Sequence, residues 1–208
     1  MGDSKAESLA RRIRALSDDI EIEIHVGMLP STLAEVATTT DVLIDATISH
    51  AVAQVVDVIA ATPQRIVTIA QVATDTRSGT LGIATISTPS TTDGVTTIDR
   101  RAGDTVRVDP ELEAYHVFWA EPLSGDEFVP TRGCSVPTFH GSAADIAGVA
   151  AALTSFVGQN PRADVSGTHL LALPQSGVAP AHRFVPHRST SEATNEVTLS
   201  SAGERPAA

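Results

Sequence analysis

Aromatic side chains are scarce, at 3% of 208 residues, so the core has to be assembled from Ala, Val, Ile and Leu. That composition favours helices packed on a sheet over an aromatic-rich β-sandwich. Cysteine is nearly absent too. The single Cys134 excludes an intramolecular disulfide and a CxxC zinc knuckle. No apolar run reaches the about 18 residues that would suggest a membrane span. The N-terminus lacks the basic-then-apolar order of a signal peptide, so a cytoplasmic protein without a membrane partner is expected. Basic residues are outnumbered, 14 against 25 acidic, and the net charge of -11 repels nucleic acid and anionic membranes. The seven histidines show no H-E-x-x-H or similar ligand spacing. Gly79, Gly82, Gly94 and Gly103 have neither the spacing nor the strand-to-helix setting of a phosphate-binding loop.

What is present alternates between helix and strand patterns. Leu9, Ile13 and Leu16 trace one face of a helix over Ser4 to Leu16, with Asp3 or Ser4 as its cap and Glu7 placed for a capping box. Ile20, Ile22, Ile24 and Val26 alternate with polar residues, which predicts a strand over 19–26 with one wet face. Ser31 opens a short helix. Ala51 to Ala61 reads as a helix that Pro63 ends, followed by a strand over 65–72. Asp75 to Gly79 forms a turn into a second β-rich run at 80–87, so a hairpin is expected there. A further hairpin is expected around Ala102-Gly103-Asp104. Residues 109–142 carry few signals and read as a long loop of the functional kind. Ile146, Val149, Ala150, Leu153 and Val157 mark a helical face over 142–157, entered through Ser142 and Asp145. Gly148 costs that helix about 1 kcal/mol relative to alanine, which predicts close packing at that point. Residues 167–173 are the last expected strand. From Pro174 the composition turns to Pro, Ser, Thr, His and charge, which divides the chain into a domain over 1–174 and a low-complexity, disordered tail over 175–208.

The chemistry concentrates at Thr40-Asp41-Val42-Leu43-Ile44-Asp45-Ala46-Thr47-Ile48-Ser49-His50. An unbroken apolar run between two aspartates reads as a central strand buried on both faces, as in parallel sheets. Asp45 then stands at the carboxyl end of that strand, where open α/β sheets bind ligands. Its bland role would be to cap the helix that begins near Ser49. Cys134 lies in the long loop before a helix start, a setting that fits either a reactive thiolate or a small buried residue. His116 and His140 are candidate bases beside it.

The order of segments resembles the ThiF/MoeB/HesA type of adenylyltransferase, whose fold is shared with ubiquitin-activating enzymes. The likeness starts with Gly2-Asp3-Ser4-Lys5-Ala6 at a helix start and continues with Asp41-Val42-Leu43-Ile44-Asp45-Ala46-Thr47 at a strand end. Ser78-Gly79-Thr80-Leu81-Gly82, Gly133-Cys134-Ser135-Val136-Pro137, Gly141-Ser142-Ala143-Ala144 and Ser166-Gly167-Thr168-His169 extend it over residues 2–173. The resemblance implies a Rossmann-like three-layer α/β fold with a mixed, mainly parallel sheet. It implies ATP and Mg²⁺ as cofactors and transfer of AMP to the C-terminal carboxylate of a ubiquitin-like or sulfur-carrier protein. In that register Lys5 contacts nucleotide phosphates, Asp45 binds Mg²⁺ and takes part in catalysis, and Cys134 is the position that forms a thioester or persulfide in some members. The family's glycine-rich strand-turn-helix would precede residue 2, so the domain is expected to be incomplete at its N-terminus and inactive alone. A partner is then expected, either a second copy or a polypeptide that supplies the N-terminal half. The alternative is a non-catalytic remnant or scaffold that keeps the protein-binding and dimerising surface.

Overall fold

A computed structural model describes residues 4–17, 19–25, 30–47, 49–75, 77–120 and 142–188. The chain divides into two compact units, residues 1–36 and 37–208.

In the first unit, α1 spans Lys5–Arg14. Ser4 and Glu7 close its start reciprocally: Ser4 Oγ accepts from the Glu7 amide at 3.2 Å, and Glu7 Oε2 accepts from the Ser4 amide at 2.9 Å. The expected capping box is therefore present, with Ser4 as the cap. Within this helix Leu9 is 55% exposed, Ile13 is half-buried and only Ala10 is buried, while Leu16 of the expected stripe lies beyond its end. Residues 19–25 form no strand, contrary to the alternation of their isoleucines. A strand needs a neighbour to hold its backbone groups, and none of the described strands pairs with this segment. The helix α2 spans Pro30–Ala37.

The second unit is built on five strands in sequential order: β1 Val42–Asp45, β2 Thr68–Thr74, β3 Leu81–Ser87, β4 Gly167–Ala172 and β5 His182–Pro186. Among the described residues β1 and β2 run parallel and the other three pairs are antiparallel. The fold is thus α/β with a mixed sheet, but the expectation of a mainly parallel sheet is corrected. The turn after Asp75 is too short for a crossover and forces β3 back along β2. Asp75 fixes that turn, as Oδ2 accepts from the Ser78 amide at 2.6 Å and Oδ1 from the Leu81 amide at 2.9 Å. The unbroken apolar runs that suggested parallel strands have another cause. Leu81 and Ile83 belong to a core with Ala102, Val106, Leu112 and Tyr115. Ala84 and Ile86 belong to a second core with Val149, Leu153 and Val157. A strand covered on both faces loses its polar alternation whatever its direction.

Three helices complete the unit. His50–Ala60 is α3, Val95–Val108 is α4 and Ala143–Ala163 is α5. The hairpin expected around Gly103 is instead the middle of α4. Val95, Ile98, Ala102 and Val106 repeat at helical spacing and are all buried, while Gly103 leaves room for the indole of Trp119. Pro110–Phe118 continues as a 3₁₀ helix, within the stretch expected to be loop. In α5, Val149, Leu153 and Val157 are buried as expected, but Ala150 is exposed. The close approach expected at Gly148 occurs at Gly82, where a Cβ would sit 2.4 Å from Val149 Cγ1; at Gly148 it would meet Leu173 only at 3.6 Å. The sheet, not the helix, supplies the missing side chain. Beyond residue 174 the fold continues through β5, which pairs along β4.

Candidate functional site

Asp45 ends β1, and its register partner on β2 is Gln71. The side chain is 4% exposed. Oδ2 accepts from Gln71 Nε2 at 3.2 Å, and Oδ1 accepts from the Thr47 amide at 2.9 Å. The second bond is the local turn that aspartate forms with the amide two residues on. Thr47 Oγ1 accepts in turn from the Ser49 amide at 3.2 Å, and Ser49 Oγ caps α3 by accepting from Val52 at 3.4 Å. Asp45 is therefore not the cap of α3, because Ser49 does that work. Gln71, invisible to a reading along the chain, was signalled only by the register of two parallel strands.

The position of β1 differs from the expectation. Among the described residues it pairs with β2 alone and forms one rim of the sheet, not its middle. Ile44 of this strand is 44% open to solvent. An apolar edge strand without lysine, proline or a bulge is an unprotected pairing surface.

Lys5 is the first residue of α1 and is exposed. It belongs to the first unit and Asp45 to the second. The helix start that Lys5 was expected to lend to phosphate already holds the Glu7 carboxylate. Glu7 is held below the usual carboxylate range, chiefly by the backbone hydrogen bond from Ser4. Two donors of that helix end are thereby occupied, and a further anion would face a like charge. Cys134 and His140 lie outside the described residues. His116 Nε2 lies 3.0 Å from the Val106 carbonyl oxygen, a structural contact between the 3₁₀ helix and α4.

Magnesium prefers one or two carboxylates, several waters and substrate phosphates. Asp45 suits it as one anchoring carboxylate, with its buried oxygens held in place by neutral donors and each keeping further acceptor capacity. Nothing around it supplies a second ligand set: among the described residues, no three His, Cys, Asp or Glu side chains converge on a metal position. No helix among the described residues is long and apolar enough to cross a membrane. Compared with known proteins, the chain matches no family model and no curated sequence.

Proposed function

We propose that this chain contributes the second half of a ThiF/MoeB-type, Rossmann-like adenylyltransferase of the cytoplasm. It activates the C-terminal carboxylate of a ubiquitin-like or sulfur-carrier protein once further strands dock on β1. One observation carries the reading: a buried carboxylate, Asp45, closes a strand that pairs, among the described residues, with β2 alone. A strand added there parallel to β1, as β2 is on its other side, would bring its own carboxyl end or following loop beside Asp45. In the second unit Ile44 on β1 and Ile66 just before β2 are exposed, at 44% and 62%. Apolar surface left uncovered in this way is what a missing neighbour would bury.

In this reading Asp45 would hold Mg²⁺, which would offset the triphosphate charge of ATP, while Gln71 and the Thr47 amide orient the carboxylate. The carrier's carboxylate oxygen then bonds to the α-phosphorus, the bond to the β-phosphate oxygen breaks, and pyrophosphate leaves with the electron pair.

A scaffold without chemistry is the second reading, favoured by the two neutral donors already on Asp45 and by Glu7 at the start of α1. The test is ATP–pyrophosphate exchange in the chain co-expressed with the polypeptide encoded immediately upstream, with and without carrier protein. Carrier-dependent exchange that disappears in Asp45→Asn supports the enzyme. Full exchange in that variant refutes the site, and a stable complex without exchange points to the scaffold.

A further inference from the structure

Four rings pack together where α5 crosses β4 and β5. His169 lies on β4, His182 and Phe184 on β5, and Phe156 on α5. The register sets His169 opposite Phe184 and Leu171 opposite His182, so the two histidines are diagonal neighbours on one face of the sheet. They are 13 positions apart in sequence, and the pair becomes visible only through the strand register.

His169 Nδ1 stands 3.1 Å from His182 Nε2, with the ring centroids 5.4 Å apart and the ring planes only 12° from parallel. Once each nitrogen's distance from its own ring centre is taken off, the 5.4 Å leaves just the 3.1 Å gap, so the two nitrogens face each other head-on. Phe156 stacks over both rings, its centroid 4.7 Å from that of His169 and 4.5 Å from that of His182, at 8° and 20° to their planes. These separations put the phenyl centre about 3.7 Å above the midpoint of the two nitrogens, inside the about 6 Å within which a ring face attracts a cation. Burial holds both imidazoles below the ordinary histidine range, so both are neutral near pH 7 and each has a lone pair to give. Neutral imidazole is a metal ligand through either nitrogen.

We propose that His169 Nδ1 and His182 Nε2 hold one soft monovalent metal ion, Cu(I) or its analogue Ag(I), in a straight two-ligand arrangement beneath the Phe156 ring. Two nitrogens aimed along one line suit linear coordination. Zinc instead takes four ligands at tetrahedral angles, and among the described residues no three His, Cys, Asp or Glu side chains converge on a metal position. Metal–imidazole bonds of about 2 Å require roughly 4 Å between the facing nitrogens. His182 is exposed and opens β5, a rim strand among the described residues, so an outward shift of about 1 Å at that side chain completes the span. The proton of the present hydrogen bond passes to the outer nitrogen of the same ring, each facing nitrogen donates its electron pair to the metal, and the complex keeps the ion's single positive charge. The net charge of -11 favours such a cation. The site is independent of Asp45 and of the adenylyltransferase reading.

The test titrates Ag(I), which needs no reductant, into the ¹⁵N-labelled full chain carrying Cys134→Ser, so that no thiol competes for the metal. One equivalent should shift His169 Nδ1 and His182 Nε2 together and split both signals by coupling to silver, whereas Zn(II) should bind this pair more weakly by about tenfold or more. His182→Gln, at an exposed position, should lower the Ag(I) affinity by about a hundredfold while the far-UV circular dichroism stays native. Phe156→Leu keeps an apolar side chain but no ring face, and should lower the affinity by about threefold to tenfold with both couplings retained. Silver on only one of the two rings, zinc bound as tightly as silver, or undiminished affinity in either variant overturns the proposal.

Discussion

Gly82→Ala and Gly148→Ala should move stability in opposite directions, although both glycines lie on the α5 side of the sheet. At Gly82 the new Cβ would stand 2.4 Å from Val149 Cγ1 and 3.0 Å from Leu153 Cδ1. Both neighbours are buried, Val149 completely. A helical valine has one strongly preferred rotamer, so it cannot swing aside cheaply, and α5 must move away from β3. Overpacking of this kind costs about 1–3 kcal/mol. Replacing a strand glycine returns about 0.5–1 kcal/mol of backbone entropy, which leaves a net loss of about 1–2 kcal/mol. At Gly148 the Cβ meets Leu173 methyls at 3.6 Å, an ordinary contact, and helix propensity adds about 1 kcal/mol of stability. Urea unfolding curves read both effects as shifts of the midpoint at constant slope. A double-mutant cycle isolates the clash: Val149→Ala should cost less in the Gly82→Ala background than in the native chain. Gly82→Ala at native stability, or an additive cycle, would refute the account of the β3–α5 contact.

Three further perturbations test other parts of the fold. The guanidinium of Arg65 donates to the carbonyl oxygens of Ala60, Val67, Ser87, Thr88 and Thr91 and to Ser87 Oγ. Arg65→Met should therefore cost about 3 kcal/mol or more in a urea titration, through buried acceptors left unpaired, and a loss below 1 kcal/mol would contradict this. Burial alone would raise the Asp75 carboxyl, but the amides of Ser78, Leu81 and Gly79 and the Ser78 hydroxyl outweigh it and hold it below the usual range. Its folded value lies below its unfolded one, so its contribution is full above the unfolded value and is lost as pH falls through the folded one. Asp75→Asn should be less stable at neutral pH and flatten the acid limb of stability against pH. His169 is pushed down to about 4 by burial and then by the charge of His182, whose ring nitrogen lies 3.1 Å away. The neutral form is favoured in the fold, so stability should decline from about pH 6.5 downward until the folded group titrates near 4. NMR titration of His169 checks the value, and a midpoint near 6.5 would exclude the buried contact with Phe156, His182 and Phe184.

The sequence was most legible where a local rule settles the structure. Ser4 with Glu7, Ser49 and Ser142 cap helices because a side-chain oxygen two or three residues from an open amide meets the requirement within one turn. The run over 42–45 forms a strand and 143–157 lies within a helix for the same local reason. Strand direction was not legible, since β3 is buried on both faces and its apolar run looks alike parallel or antiparallel. Gly103 reads along the chain as a turn because glycine suits one; the Trp119 ring, sixteen positions on, gives it a place in a helix. Strand β5 was hidden in a stretch with proline and histidine at its ends. Its pairing depends on β4 and on Tyr115, whose hydroxyl donates to the Pro180 carbonyl at 2.6 Å.

The candidate site divides along the same line. Asp45 could be picked out because the strand end and the turn that define it are adjacent in sequence. Its setting at a rim could not, since a strand's neighbours are set by other parts of the sheet. That rim makes the docking on which the proposed function rests testable by a property of β1 alone. Ile44→Lys places a charge on a side chain already 44% exposed, so it should leave the stability of the isolated chain within about 0.5 kcal/mol. If a complementing strand docks on β1, the same substitution puts an ammonium beside the new apolar contact and should weaken complex formation by about tenfold or more in a pull-down or calorimetric titration with the upstream polypeptide. An unchanged complex would mean that the edge of β1 is not where the N-terminal half binds, and Asp45 would then have no route to a nucleotide.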